Sequence, residues 1–171
     1  MSSSNPVLER LAGRPVTTGV TDYKIATSMS GLEFIHAMKS GKFPAPPICD
    51  ALDFILTEAE AGRVVFEGLP SDRFRNPLGT IHGGWMSTLL DSALGCAVHT
   101  MLKAGQGYTT VDLAVSFVRA VHQSTGRVRC EAKVIHAGGR IATAEGRLVD
   151  ADGKLYAHGT TTCLVMQIPP G

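Results

Sequence analysis

One run of residues combines a group that can polarise a carbonyl with a group that can activate water. Asn76 is followed six positions later by His82-Gly83-Gly84, and Asp91 comes nine residues after the histidine. A glycine N–H at a helix start, with the positive end of the helix dipole behind it, can stabilise a developing oxyanion. An ionised aspartate can act as a general base or as a nucleophile. Gly83 is therefore a candidate oxyanion donor, and Asp91 a candidate base or nucleophile. The alternative interpretation of Gly83 and Gly84 is that they only allow a tight junction between loop and helix.

The segment from Gly83 to about Lys103 is predicted to be a helix that buries a broad face. Apolar residues recur in it at helical spacing, as Trp85/Met86, Leu89/Leu90, Ala93/Leu94, Ala97/Val98 and Met101/Leu102. Asp91 is the only carboxylate of the segment, and a core helix has little reason to hold one near its middle unless the carboxylate is used. An ordinary polar stripe is the alternative interpretation, since several polar or small residues share its side: Ser87, Thr88, Ser92, Gly95 and His99.

The residues before this helix predict an extension and two strands. Residues 1–30 are polar and without a strong period, so we expect them to be loosely ordered. Residues 31–41 predict a short amphipathic helix that ends at a glycine, and the proline-rich residues 43–49 predict an extended linker. Strands are expected at 51–60 and 63–69. The chain accordingly divides into an extension, 1–49, and a main domain, 50–171.

Four β-rich runs follow the helix, at residues 108–120, 126–137, 140–149 and 154–167. In the first of them the alternation places four apolar residues on one face: Val111, Leu113, Val115 and Phe117. Tight turns separate the runs, and Asp152-Gly153 is a strong hairpin signal. The pattern predicts an α+β fold in which an antiparallel sheet packs on one long helix.

Composition excludes several classes of function. The 171 residues carry a formal net charge of +1 with 18% charged residues, which gives no case for nucleic acid binding. No apolar run long enough for a membrane span and no secretion signal is recognisable, so we expect a cytoplasmic protein. The histidines form no HxH or HxxxH pair, and the chain has neither a Walker-type nor a GxGxxG motif; no metal and no separate cofactor is expected.

With the motif and the strand order together, the sequence resembles the hotdog-fold acyl-CoA thioesterases, and the PaaI-like (phenylacetate-degradation type) branch among them. The resemblance covers roughly residues 50 to 167. It implies a hotdog fold, in which the antiparallel sheet wraps around one central helix, with an N-terminal helical extension here. It also implies hydrolysis of acyl-CoA to a free acid and coenzyme A, which is then part of the substrate.

The resemblance also assigns supporting residues. Asn76 would orient the attacking water, His82 would fix the loop, and Thr110 would help position the water, with Thr109 as a neighbouring possibility. Other residues are implied as substrate contacts, namely Gly84, Trp85, Arg119, Gly138, Gly139 and Arg140. Arginine suits the coenzyme phosphates because its guanidinium pairs with them in a bidentate way.

The spacing within the helix has a consequence for assembly. Gly83 and Asp91 are eight residues apart, about 12 Å along one helix, so both cannot touch one carbonyl from the same chain. A site that uses both needs two chains, and the family implies a homodimer; a dimer of dimers stays open. Two other functions stay open as well: a hotdog dehydratase or hydratase acting on acyl thioesters, and a non-catalytic acyl-CoA-binding protein.

Overall fold

A computed structural model describes residues 5–168 of the chain; residues 1–4 and 169–171 lie outside the described part. Eleven helices and strands follow one another within it: α1 (Pro6–Ala12), α2 (Tyr23–Thr27), α3 (Gly31–Ser40), α4 (Pro47–Leu52), β1 (Phe54–Glu60), β2 (Arg63–Gly68), α5 (Gly83–His99), β3 (Gln106–Phe117), β4 (Val128–Ala137), β5 (Ile141–Asp150) and β6 (Leu155–Gln167). Two short 3-10 turns, Asp72–Phe74 and Gln123–Thr125, lie in the connections. None of the helices within residues 5–168 has the length and apolar character needed to cross a membrane.

The six strands form one antiparallel sheet in the order β1-β2-β4-β5-β6-β3. Helix α5 lies on the inner face of this sheet and contacts all six strands. Leu89, Leu90 and Leu94 are completely buried in the interface between helix and sheet. Gly146 of β5 allows this close packing, because a Cβ there would lie 3.3 Å from the methyl groups of Leu90 and Leu94. The predicted α+β hotdog architecture is confirmed.

Strand β3 is an edge strand with little burial. It pairs with β6 on one side only, and none of its twelve residues is classed as buried. The sequence predicted that one apolar face of this strand carries four residues: Val111, Leu113, Val115 and Phe117. The prediction is wrong for Val111, which is 57% exposed. A β-bulge between Thr110 and Asp112 adds one residue to the strand and breaks the alternation there. Thr110 and Leu113 consequently lie on the same inner face of β3, whereas strict alternation would place them on opposite faces.

Residues 5–30 contain the helices α1 and α2, against the prediction that residues 1–30 are loosely ordered; residues 1–4 lie outside the described part. Within the described part, from residue 5 on, α1 buries Leu8 and Leu11, which are 0% and 6% exposed. Asn5 caps this helix through its side-chain oxygen, and its Nδ2 donates to Asp50 and Asp53. Helix α1 is only seven residues long, and a segment this short carries too few turns for its apolar period to stand out in the sequence.

The expected extended linker at 43–49 and the early start of the first strand are also wrong. Helix α4 begins at Pro47, crosses the predicted boundary between residues 49 and 50, and ends at Leu52. Proline is compatible with the first position of a helix, since the N–H it lacks would have no intrahelical partner there. Strand β1 therefore begins at Phe54 and not at residue 51.

Helix α3 is confirmed at the predicted position, with Gly41 in the left-handed conformation at its end. Ser30 and Glu33 form a capping box at its start. The Gly31 amide donates to the Leu102 carbonyl at 3.0 Å, so α3 begins directly against the C-terminal end of α5. A Cβ on Gly31 would lie only 1.7 Å from the carbonyl oxygen of His99. The start of α3 can approach α5 this closely only because residue 31 is glycine.

Replacing Gly31 with alanine is expected to lower the free energy of unfolding by about 3 kcal/mol, because a backbone oxygen blocks the new methyl group. Urea unfolding monitored by circular dichroism measures the change. Gly139→Ala is the matched control, since a Cβ at Gly139 meets nothing within 4 Å. Equal stability of the two variants would show that α3 does not need this contact.

Candidate active site

The start of α5 leaves one backbone N–H available. His82 is the N-cap residue, and its Nδ1 accepts a hydrogen bond from the Gly84 amide at 2.8 Å. The Trp85 amide donates to the His82 carbonyl. Among residues 5–168, the Gly83 amide has no hydrogen-bond partner, and it stands at the positive end of a 17-residue helix. Of the two predicted glycines, Gly83 therefore offers a free donor, whereas the Gly84 amide is already bonded.

His82 holds this arrangement only with Nδ1 unprotonated, since that nitrogen must accept from Gly84. His82→Ala is expected to lower the free energy of unfolding by about 1 kcal/mol, the usual contribution of an N-cap side chain. His82→Asn should retain most of the stability, because asparagine is a good N-cap residue. Thermal unfolding of both variants measures these changes. Equal losses of stability in the two variants would mean that the N-cap hydrogen bond does not contribute to the free energy of unfolding.

Asn76 is bonded within its own loop. Its Oδ1 accepts from the amides of Leu78 and Thr80, at 2.9 and 3.3 Å, and its Nδ2 donates to the Thr80 hydroxyl at 2.8 Å. These contacts hold the loop that leads into α5. The predicted role of orienting a water would fall to the second hydrogen of Nδ2.

Asp91 lies half-buried in the middle of α5, and β3 supplies its partner. The Thr110 hydroxyl donates to Asp91 Oδ1 at 3.2 Å. Asp91 Oδ2 has no hydrogen-bond partner within the described part of the chain. Thr109, the alternative to Thr110, points away from the helix and is exposed. Of the two threonines, the structure thus brings Thr110 to the carboxylate.

The groups around Asp91 are neutral. Burial raises the pKa of the Cys96 thiol to about 12, and the Asp91 carboxylate adds to the shift. Burial, with the neighbouring Cys96, Cys163 and Asp91, also holds the Tyr108 pKa well above its usual value. The pKa of His99 falls to about 4 because the ring is buried. The Cys96, Tyr108 and His99 side chains next to Asp91 are therefore all neutral at pH 7.

Strand β3 runs along α5 and contacts it at three levels. Tyr108 lies against Gly95, Thr110 against Asp91, and Phe117 against Gly83, where a Cβ would meet the Phe117 ring at 3.1 Å. We call this line of contact the α5–β3 seam. Gly83 and Asp91 remain about 12 Å apart along the helix. The structure therefore places the two groups on one seam but does not bring them together within one chain.

Trp85 is a core residue. Its side chain is 3% exposed, its Nε1 donates to the Leu52 carbonyl at 2.8 Å, and its ring stacks on Phe74. A buried indole with its only polar atom bonded internally is not at the surface of the chain. Helix α5 turns the ring inward, against Gly68 of β2, and the expected contact of Trp85 with substrate stays a prediction.

The residues expected to contact the coenzyme lie at opposite ends of the sheet. Arg119 follows β3, donates to the Leu155 carbonyl and lies over the Tyr156 ring. Arg140 precedes β5, and its carbonyl accepts from the Val165 amide. Tyr156 and Val165 are nine residues apart on β6, about 30 Å. Gly138 and Gly139 form the turn before Arg140, and the Gly138 amide closes it by donating to the Ile141 carbonyl at 2.8 Å.

Two aromatic residues of the seam were missed as site residues from the sequence. Phe117 stands at Gly83, and Tyr108 stands one helical turn beyond Asp91. Tyr108 could have been found from Thr110, because residues two apart on a strand share a face. Within residues 5–168, no three His, Cys, Asp or Glu side chains are grouped in a way that could hold a metal ion.

Comparison with known proteins shows which proteins this chain resembles. Residues 78–157 match the model of the thioesterase superfamily. A candidate thioesterase of Ralstonia eutropha JMP134, described as a phenylacetic acid degradation-related protein, is 29% identical; the match has a TM-score of 0.69 and covers 76% of this chain and 98% of that one. A conserved protein of Pseudomonas aeruginosa is 27% identical, with a TM-score of 0.65 and coverage of 70% and 93%. No curated protein matches the chain.

A more distant structure shares the fold. It is a hypothetical thioesterase of Streptococcus pneumoniae TIGR4, crystallised with coenzyme A; it is 19% identical, with a TM-score of 0.61 and coverage of 68% and 88%. The family match includes α5 and most of the sheet. The chain is similar to the thioesterase superfamily over these residues, and the predicted resemblance to PaaI-like hotdog thioesterases is confirmed. This similarity supports thioester hydrolysis as the general chemistry.

Proposed function

We propose that this protein hydrolyses acyl-CoA thioesters to a free acid and coenzyme A. The observation that carries the proposal is the half-buried Asp91 carboxylate, held by the Thr110 hydroxyl in the middle of a helix that carries no other carboxylate. A hydrogen bond at Oδ1 fixes the orientation of the carboxylate and leaves Oδ2 for a proton or a carbonyl carbon. The match to the thioesterase superfamily supports this choice of reaction.

The proposed reaction can take two routes. As a general base, Asp91 takes a proton from water while the water oxygen attacks the thioester carbonyl carbon. As a nucleophile, Asp91 attacks the same carbon and forms a mixed anhydride, which water then hydrolyses. In both routes the C–S bond breaks, the thiolate of coenzyme A leaves and takes up a proton, and the acid is released.

The oxyanion that forms in either route needs a donor. The free Gly83 amide at the start of α5 has the direction and the dipole for that role. Because it is about 12 Å from Asp91 on the same helix, the donor in the proposed site is Gly83 of a second subunit. His82 stabilises the start of this helix as its N-cap, and Asn76 stabilises the preceding loop by hydrogen bonds within it.

The edge of β3 supports a homodimer. A two-fold axis that pairs β3 with its copy makes the two strands antiparallel. The unpaired edge is twelve residues long, and it ends at two half-exposed apolar residues, Phe117 and Val118. Such an edge favours pairing with another strand. Antiparallel pairing would also reverse α5 relative to its copy, as a site shared between Gly83 and Asp91 requires.

The same pairing would bring the two coenzyme arginines closer. Within one chain Arg119 and Arg140 are at opposite ends of the sheet, but antiparallel β3 strands place the Arg119 end of one subunit beside the Arg140 end of its copy. Arg119 of one subunit and Arg140 of its copy are then separated by three strand spacings, about 14 Å. An extended, negatively charged coenzyme could contact both. The structure of the Streptococcus pneumoniae thioesterase with coenzyme A agrees with this substrate class.

Thiol release from a panel of acyl-CoA esters tests the proposal. The panel should include aryl, short alkyl and long alkyl esters, with free thiol measured by a chromogenic disulfide. We expect hydrolysis of at least one ester above the rate without protein. Tight binding without thiol release would contradict the proposal and favour an acyl-CoA-binding protein, and conversion of an enoyl-CoA to a hydroxyacyl-CoA would favour a hydratase.

A further inference from the structure

Tyr108 covers the C-terminal half of α5 immediately beyond Asp91. Its ring lies on Gly95, where a Cβ would come within 2.6 Å of the tyrosine hydroxyl and 3.1 Å of the ring. Residues Ser87, Thr88, Asp91 and Ser92 of the outward face of α5 are partly exposed, whereas Gly95 is buried. The open part of the α5–β3 seam therefore ends at Tyr108, one helical turn or about 6 Å after Asp91.

The N-terminal extension stands behind this ring. His99 meets Tyr108 edge-on, with ring centroids 5.6 Å apart, and stacks on Phe34 of α3 at 5.3 Å. Phe34 in turn packs on Phe43 at 5.7 Å. Helix α3 is fixed against α5 by the contact of Gly31 with the His99 carbonyl. Four aromatic rings thus form a continuous support from the extension to the seam.

The front of Tyr108 faces uncharged groups apart from Asp91. Gly95, Cys96 and Cys163 surround it, and both thiols are held neutral by burial. The Tyr108 side chain is half-buried, and its hydroxyl has no hydrogen-bond partner among residues 5–168. Such surroundings suit an acyl group and give no cation for the coenzyme phosphates.

We propose that Tyr108 is a specificity-determining residue that ends the acyl-binding part of the Asp91 site, and that the N-terminal extension holds it in place. The inference rests on the proposed function, in which the thioester carbonyl lies at Asp91. An acyl group that extends from Asp91 along the seam meets the tyrosine ring after one helical turn. The preferred substrates are therefore short acyl-CoA esters, and the extension is part of the specificity of the site.

The chain-length preference of Tyr108→Ala tests the inference. We measure kcat/KM for butanoyl-CoA and decanoyl-CoA and compare the ratio of the longer to the shorter ester with that of the wild type. Removing the ring should raise this ratio about tenfold, since even one added methylene that fits a pocket changes discrimination by this order. Tyr108→Phe should keep the wild-type ratio, because the ring remains. Tyr108→Leu serves if the alanine variant does not fold.

Phe34→Ala tests the part played by the extension. It should shift the ratio in the same direction as Tyr108→Ala, and more weakly, because it removes support from the ring and not the ring itself. Tyr23→Ala is the control, since Tyr23 also belongs to the extension but is 60% exposed. A purely structural role would lower kcat/KM for both esters equally and leave the ratio unchanged.

Binding separates this inference from the proposed function. Isothermal titration with non-hydrolysable thioether analogues of the two esters gives the same length ratio without any reaction. If the wild type binds the analogues but releases no thiol, the proposed hydrolysis fails, and a shifted binding ratio in Tyr108→Ala still supports the inference. An unchanged ratio in Tyr108→Ala and Tyr108→Leu, or no binding by the wild type at all, overturns it.

Discussion

Asp91→Asn should lower kcat for acyl-CoA hydrolysis by roughly 10³-fold, within the range that a general base contributes. Asparagine keeps the shape of the side chain, and its Oδ1 can still accept from the Thr110 hydroxyl, so the helix and the strand are not disturbed. What disappears is the group that takes a proton or attacks the carbonyl. Thiol release under saturating substrate measures the change, and KM should change far less than kcat.

Asp152→Asn is the matched control for this substitution. Asp152 lies in the exposed turn before β6, and the resulting Asn-Gly pair is as good a hairpin turn as Asp-Gly. This variant should keep the wild-type kcat and unfolding temperature. If Asp91→Asn retained wild-type kcat as well, the carboxylate would not be the reactive group, and Asp91 would be part of an ordinary polar stripe.

A single turnover in ¹⁸O-labelled water distinguishes the two routes open to Asp91. If Asp91 is the nucleophile, water attacks the mixed anhydride. Attack at the Asp91 carbonyl leaves the label in the Asp91 side chain, and attack at the acyl carbonyl leaves it in the product. If Asp91 is a general base, the label enters only the product acid. Mass spectrometry of the peptide that contains Asp91 therefore identifies Asp91 as a nucleophile if this peptide carries the label after the single turnover.

The second large effect is expected from Gly83→Pro, which removes the N–H that we propose as oxyanion donor. Gly83 is the first residue of α5, where proline is well tolerated. The preceding His82 already has φ −61° and ψ 138°, the conformation that a residue before proline adopts. Loss of one oxyanion donor should lower kcat by roughly 10²- to 10³-fold.

Gly83→Ala controls for the bulk that proline adds. Its Cβ meets the Phe117 ring at the same 3.1 Å, but its N–H is retained. The half-exposed ring of Phe117 can yield by a few tenths of an ångström, so Gly83→Ala should lose much less activity than Gly83→Pro. Equal losses in the two variants would assign the effect to crowding at Phe117 and not to the donor.

A mixed dimer tests whether the two groups come from different subunits. Chains carrying Asp91→Asn and Gly83→Pro are co-expressed with different affinity tags, and the heterodimer is purified on both. One of its two sites combines Asp91 of the proline chain with Gly83 of the asparagine chain and is intact. The heterodimer should therefore show about half of the wild-type kcat per dimer, although both homodimers are nearly inactive. No recovery would mean that Gly83 and Asp91 act within one chain, or that the chain does not form the proposed dimer.

The sequence by itself determined the main helix, the order of the strands and the candidate groups of the site. These rest on local signals: the apolar period of α5, the turn residues between strands, and the nine-residue spacing from His82 to Asp91. The same spacing also indicated that Gly83 and Asp91 cannot meet in one chain, because the rise of a helix per residue is fixed. Such features can be predicted from the local sequence, because they do not depend on which residues pack against them.

Only the tertiary structure decided which residues meet. The bulge at Val111 shifts the face of β3, and the contact of Thr110 with Asp91 depends on that shift in register. Tryptophan is a residue type that often contacts ligands, but the orientation of α5 places the Trp85 side chain in the core. Arg119 and Arg140 proved to lie at opposite ends of the sheet.

The N-terminal extension is the clearest example of structure that the sequence alone did not predict. Its helices α1 and α2 are only seven and five residues long, too short for a clear period. They are held by contacts distant in sequence, such as Asn5 with Asp53 and Gly105 with Thr27. The position of Tyr108 between Gly95 and the aromatic rings of the extension has the same origin. Contacts between residues far apart in the chain leave no pattern in the local sequence, and for that reason only the folded structure shows them.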